Sequence, residues 1–289
     1  MSHAGPDGAP AGVLYSATGK FYIGEAVRSA ASSLRHNHVP HVLFADAEPA
    51  PLPGLTVSPF TPSGNPYLDK IANIRSSPFE RTLYLDCDTF VVDEIIHVLD
   101  LLDHYDLVAA FAPGYRGLDD PGIPKAFYEL NTGVLGWRRN ERTAAFMSAW
   151  QQTYETWLHD EPVSGAGVTA RTQTRRTLAD QPAFRHCAWE RGLSVFVLGD
   201  EYNLRLGFPT AVVDRVRVIH GEHPDLAGLA VRINEREGKP RTWPPPRTLT
   251  DRVSWRLKRA FGRDRIAAPS PRKLQRDAIR REDASGSSH

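Results

Sequence analysis

The sequence predicts an α/β protein whose first half is a doubly wound unit, strand and helix alternating about a buried sheet. Three observations lead there. From residue 12 onward, short apolar runs alternate with longer stretches of helical period. One of those runs, Leu83-Tyr84-Leu85, ends directly in Asp86-Cys87-Asp88, which puts two carboxylates at the carboxyl end of a strand, where ligands dock in open α/β folds. The chain has 289 residues, enough for one large α/β domain and a tail without a disulfide or metal staple.

Gly12 to Ser16 reads as the first strand and Tyr22 to His36 as the first helix. His41 to Asp46 follows as a strand and Leu55 to Val57 as a short one, with a proline-rich turn between them. Tyr67 to Arg75 reads as a helix, Thr82 to Leu85 as the acidic-ended strand, Glu94 to Leu102 as a helix and Asp106 to Phe111 as another buried strand. In the second half, Gly133 to Trp137 is strand-like and Glu141 to about His159 helical. A Gly/Thr/Arg-rich connection spans 162–174, a helix begins near Asp180 and ends at Gly192, and Leu193 to Leu198 and Val216 to His220 read as strands. Trp243 and the prolines to Pro246 end the domain, since a proline run continues neither regular element. The expected organisation is therefore a flexible stretch over 1–11, one domain over 12–246 and a tail over 247–289.

Asp86 and Asp88 lie on one short bend and repel each other unless a cation lies between them. Hard oxygen donors suit Mg²⁺ or Mn²⁺ bridging to a diphosphate, the chemistry of a nucleotide-sugar site. The alternative is an Asp-x-Asp that occurs in a loop by chance. A phosphatase-type Asp-x-Asp-x-Thr, with Asp86 as nucleophile, fails because Phe90 stands two residues after Asp88.

Cys87 and Cys187 lie far apart with no zinc spacing, which argues against a disulfide framework or a structural zinc and for a reducing compartment. Residues 1–12 lack the basic start and apolar core of a signal peptide. The net charge of +1 hides an asymmetry: residues 251–289 carry eleven Lys or Arg against five Asp or Glu, leaving 24 against 29 for the rest. Within that tail Val253, Leu257 and Phe261 share a helical face ringed by Arg252, Arg256, Lys258 and Arg259. Such a stretch suits an anionic membrane surface, or packs on the domain with a solvated basic face; beyond Ala267 the composition suggests disorder. The acidic body offers no broad basic face for nucleic acid.

Five segments stand in a familiar order: Leu83 to Asp88, Glu129 to Val134, Asp180-Gln181, Leu198 to Asn203 and Val218 to Gly221. In this order, over roughly Gly12 to Trp243, the chain resembles glycosyltransferase family 8, retaining enzymes of the GT-A fold. The resemblance implies a Rossmann-like GT-A domain with a mixed central sheet, a hexosyltransferase activity and Mn²⁺ (or Mg²⁺) as cofactor. The donor is a nucleotide-diphosphate sugar, a UDP-sugar by family habit, and the acceptor a hydroxyl on a glycan, a lipid-linked sugar or a small molecule.

By the same resemblance Asp86, Asp88 and His220 are metal ligands, Asp86 also lying near the ribose. Asn131 faces a sugar, Asp180 and Gln181 lie near the reacting anomeric carbon, and Lys70 is a cation on the nucleotide side. Each has a plainer alternative: His220 closing an ordinary strand, Asn131 a strand-entry turn residue, Asp180 a helix N-cap. Two departures stand out. The stretch from Ala17 to Phe21, aligned with the base-reading segment, lacks its acidic and amide side chains. The family's Lys-Pro-Trp after the histidine is missing, and its nearest analogue is Lys239-Pro240 with Trp243, beyond an insertion.

The reading is a metal-dependent glycosyltransferase acting in the cytoplasm or at the cytoplasmic face of the membrane. Its alternatives are a nucleotidyltransferase, whose phosphate loop Ala17-Thr18-Gly19-Lys20 would imitate poorly, and an inactive sugar-nucleotide-binding module.

Overall fold

The structure, a computed structural model, describes residues 11–112, 122–159 and 179–244. Strand β1 (Ala11–Ala17) is buried along its whole length and alternates between two cores. Val13 and Tyr15 face one and Leu14 the other. Strand β4 (Arg81–Leu85) repeats the pattern, with Leu83 and Leu85 in the first core and Tyr84 in the second. Such period-2 partition of strands apolar on both sides is what a sheet covered on both faces requires.

Strands β2 (His41–Ala45) and β3 (Leu55–Pro59) extend the sheet parallel to β1. Beyond β4 come β7 (Leu130–Arg138), β6 (Leu107–Phe111) and β8 (Val195–Leu198), giving seven strands in the order β3-β2-β1-β4-β7-β6-β8. Strand β7 runs antiparallel to both neighbours, so the sheet is mixed. Helix α1 (Lys20–Ser33) packs into the first core. Helices α2 (Pro66–Arg75), α3 (Glu141–His159) and α4 (Gln181–Glu190) cover the other face.

A second, three-stranded sheet joins β5 (Thr89–Val91), β11 (Val218–His220) and β9 (Leu204–Arg205). It packs on α5 (Leu226–Asn234) through Leu204, Ile219, Leu226 and Leu229. Strands β10 (Thr210–Val212) and β12 (Arg241–Trp243) form an antiparallel pair beside it.

The β6/β7 ladder breaks its register: Ala109 pairs with Leu135, yet Ala110 pairs with Asn131. Thr132, Gly133 and Val134 are thus extra on β7 relative to β6, a three-residue bulge lying at the carboxyl edge of β4, where Val134 pairs with Leu85. Asp86 N–H bonds Gly133 O at 2.9 Å, tying the bulge to the acidic bend.

Several boundaries differ from the sequence expectation. The first helix begins at Lys20 and ends at Ser33, two to three residues earlier than its periodicity suggests. Residues Ile96–Asp103 form a 3₁₀ rather than an α-helix, closed by i→i+3 bonds such as Val98 N–H to Ile95 O. Strand β7 starts at Leu130, so Asn131 lies inside a strand, not in a turn before one. Helix α5 is an element the sequence reading lacks: Gly228 interrupts its apolar run, and Asp225 caps it by accepting from Gly228 N–H. Expectations for the first ten residues, for 162–174 and for the basic tail from 247 fall outside the described residues. Among the described residues no helix is long and apolar enough to cross a membrane.

Candidate active site

Strand β4 buries all five residues and releases the chain at Asp86. There a turn closes, with Thr89 N–H and Oγ1 donating to Asp86 O at 3.2 and 2.8 Å. The chain re-enters a sheet as β5, where Thr89 pairs with His220 of β11, and Gly221 N–H donates to Asp88 O at 2.8 Å. Strand pairing thereby carries His220 against the two carboxylates. Its Nε2 is 3.1 Å from Asp88 Oδ1 and 3.8 Å from Asp86 Oδ2, and the ligand atoms of the three residues lie within 4.8 Å of one another. His220 is buried, while the Asp88 side chain is 40% exposed, so the cluster opens to solvent on the Asp88 side.

The tautomer of His220 follows from a chain of bonds anchored on a backbone donor. Gly133 N–H donates to Asn131 Oδ1 at 3.0 Å, which fixes the orientation of that amide. Asn131 Nδ2 then donates to Gln181 Oε1 at 2.6 Å, and Gln181 Nε2 to Glu129 Oε1 at 3.1 Å. Asn203 Nδ2 also donates to Asn131 Oδ1, at 3.1 Å, leaving Asn203 Oδ1 to accept from His220 Nδ1 at 2.8 Å. The imidazole proton is therefore on Nδ1, and a lone pair on Nε2 points at two carboxylates. A proton on Nε2 or a metal ion between the three groups relieves that repulsion.

Asp86 divides its oxygens. Oδ1 takes the Lys70 ammonium at 2.8 Å and the Tyr84 hydroxyl at 3.0 Å, while Oδ2 faces His220. Lys70 also pairs with Asp180 at 3.2 Å and donates to Thr132 Oγ1 at 3.1 Å. Burial pushes the Lys70 ammonium down, but Asp180 and Asp86 outweigh it and hold its pKa above the ordinary lysine value. Burial pushes the Asp88 carboxyl up; a protonated His220, which is the metal-free alternative to an ion at Nε2, and Arg205 more than reverse this and hold it below the usual carboxylate range.

Asp180 stands at the N-cap position of α4 without capping it: its side chain makes no bond to the helix N–H groups. Its Oδ2 accepts from Thr132 Oγ1 at 2.8 Å and pairs with Lys70, and Trp150 Nε1 holds its carbonyl at 3.0 Å. Gly133 sits at the centre. A Cβ there would lie 2.3 Å from His220 Cε1 and 2.5 Å from Asp86 Oδ2, so only glycine leaves both side chains in place.

Asp86, Asp88, His220, Asn131, Asp180, Gln181 and Lys70 thus meet at one edge of the sheet. Ala17 and Lys239 stand apart from this network. Ala17 ends β1 with its methyl in the core. Lys239 is exposed in the turn between α5 and β12, its N–H bonded to Arg236 O. Trp243, at the other end of β12, donates to Leu206 O at 3.0 Å, and Leu206 N–H donates in turn to His220 O. The sequence reading gave no role to Asn203, Thr132, Gly133, Glu129 or Tyr84. All five lie within the motif segments themselves, so their place there was the available signal.

The chain matches no protein-family model and no curated protein. Among solved structures it is similar to the galactosyltransferase LgtC in complex with donor and acceptor sugar analogues, with a TM-score of 0.51 and 15% identity over 86% of this chain and 99% of that one. A structure of an active-site mutant of LgtC aligns with a TM-score of 0.49 and 15% identity, over 74% of this chain and 88% of the other. Taken with the mixed seven-stranded sheet, the first of these likenesses identifies the architecture of this chain as the GT-A fold.

Proposed function

We propose that this chain is a metal-dependent glycosyltransferase that moves a sugar from a nucleotide-diphosphate donor to a hydroxyl acceptor with retention of configuration. The observation that carries this reading is the convergence of Asp86, Asp88 and the bare Nε2 of His220 at the carboxyl edge of a GT-A sheet. The donor set fits a divalent ion. Two carboxylates and one imidazole suit Mn²⁺ better than Mg²⁺ or Ca²⁺, and Gly133 leaves room where any Cβ would intrude. When bound, the ion supplies positive charge to the diphosphate as it departs.

The surrounding residues prepare the reaction. Lys70 and Tyr84 hold Asp86 by one oxygen and leave the other for the metal side. The Glu129-Gln181-Asn131 chain fixes two amides beside the cluster, ready to orient sugar hydroxyls. Asp180 is 2% exposed, with its Oδ2 engaged by Thr132 and Lys70, which makes it a poor nucleophile for a covalent sugar intermediate. Front-face transfer fits better: the bond from the anomeric carbon to the phosphate oxygen breaks, the bond to the acceptor oxygen forms on the same face, and the departing phosphate oxygen takes the acceptor proton.

The test is a panel of nucleotide-diphosphate sugars incubated with Mn²⁺, scored for donor hydrolysis or transfer, with the product anomer read by NMR. Turnover that is metal-dependent and lost in Asp88→Asn supports the reading. Metal-independent turnover, or none with any donor, overturns it.

A further inference from the structure

The cations near the candidate site are mostly spent. Lys70 is shared between Asp86 and Asp180, Arg217 is held by Asp93, and Arg215 by Asp93 and Glu237. Lys239, the residue that sequence likeness offers for a diphosphate, lies in an exposed turn past the far end of β12 from Trp243.

Arg205 is different. It is the parallel partner of His220 in the β9/β11 ladder, so the two side chains leave the same face of the sheet, the face that presents His220 to Asp86 and Asp88. It is half-buried, and among the described residues no carboxylate lies within ion-pair distance of it, although its charge reaches Asp88. Its guanidinium rests on the Phe208 ring at 5.4 Å, a stacking that steadies the plane while leaving its N–H edges free. A planar fork of donors with no carboxylate in direct contact matches two phosphate oxygens.

We propose that Arg205 binds the diphosphate of the donor and stabilises it as a leaving group, in place of Lys239. This rests on the glycosyltransferase reading above. It also answers a charge problem: Lys70 serves Asp86 and Asp180 together, and Asp88 is offset only by Arg205 at longer range and by His220 when that ring is protonated. A divalent ion would only balance what remains of that negative charge, and a diphosphate needs a further cation.

The experiment is calorimetric titration, in Mn²⁺, of the best-binding member of a panel of UDP, TDP, GDP and ADP, and of its nucleoside monophosphate. It uses full-length wild type, Arg205→Gln, Arg205→Lys and Lys239→Gln, each checked for folding by thermal unfolding. Arg205→Gln is expected to weaken diphosphate affinity about 10- to 100-fold, with a smaller loss for the monophosphate. Arg205→Lys should recover part of it, and the loss should exceed that of Lys239→Gln. Titration with Mn²⁺ alone separates binding from architecture: removing a nearby cation should leave metal affinity equal or higher, whereas a merely structural arginine would lower both.

Wild-type diphosphate affinity in Arg205→Gln, or a larger loss in Lys239→Gln, overturns this proposal and leaves the glycosyltransferase reading standing. If wild type binds no member of the panel, both fall. If Arg205→Gln does not fold, Arg205→Lys carries the comparison, and affinity equal to wild type there, together with a large loss in Lys239→Gln, overturns the proposal.

Discussion

Asn203 Oδ1 lies 2.8 Å from His220 Nδ1, and this contact decides which nitrogen of the imidazole meets the carboxylates of the acidic bend. The residue that chooses the tautomer touches neither Asp86 nor Asp88. Its own orientation is inherited, through Asn131, from a backbone N–H on the β7 bulge. The metal-ligand geometry is thus written partly in the central sheet.

Asn203→Leu removes the acceptor and is expected to weaken Mn²⁺ binding about 10- to 100-fold. Asn203→Asp keeps an acceptor for Nδ1–H and should lose less. Mn²⁺ titration followed by electron paramagnetic resonance reads both; equal affinities in wild type and Asn203→Leu would show that the tautomer does not matter.

Asp86→Asn and Asp88→Asn should each abolish metal-dependent nucleotide binding, while His220→Ala weakens it less, since the imidazole brings a ligand bond but no charge. Asp88→Asn should leave thermal stability near wild type, because its side chain is partly exposed and fills no core. Asp86→Asn should also destabilise, because Lys70 loses a buried partner, at a cost of about 3 kcal/mol. Calorimetry of ligand binding and urea unfolding curves separate the two effects.

Gly133→Ala is the smallest change that should disable the site. The new methyl meets His220 and Asp86 rather than the bulk of the core, so metal affinity should fall at least about tenfold. The stability cost should stay at about 1–3 kcal/mol, the usual range for overpacking. Wild-type Mn²⁺ affinity in a folded Gly133→Ala protein would contradict the geometry.

Burial pushes His41 down to about 4, with Nδ1 donating to Val39 O and Nε2 accepting from Ser33 Oγ. Its pKa is lower in the folded chain than in the unfolded one, so the unfolded state takes up a proton first as pH falls. Stability from this residue is complete above about pH 6.5 and drains away towards pH 4, for a total of about 3 kcal/mol. Urea midpoints measured from pH 7 to 4 should fall more steeply in wild type than in His41→Gln, and parallel slopes would exclude His41 as the source.

The acidic bend was legible because its two carboxylates are neighbours in sequence and follow an apolar strand, so local pattern alone placed them at an edge. The long helix from Glu141 to His159 was legible for the same reason, its period being sustained over many turns. The commitment of Lys70 to two carboxylates was not, since Asp86 and Asp180 reach it from separate elements and no spacing records that. The same holds for Asn203 and Arg205, whose meaning depends on β9 lying beside β11. Asp180 is ambiguous in another way: local pattern makes it an ordinary cap and the resemblance a site residue, and its missing cap bond and its lysine partner argue against the cap.

The three extra residues of β7 bear on attempts to make this protein more robust. Deleting them would make the ladder against β6 continuous from Ala109 to Phe111, but it would take away Val134, the partner of Leu85 on β4, and Gly133 O, the acceptor for Asp86 N–H. It would also remove the backbone donor that orients Asn131 and the hydroxyl that meets Asp180. The irregularity serves the β4 edge and the candidate site at once, and thermostabilising libraries should leave Thr132 to Val134 untouched while searching the rest of the sheet freely.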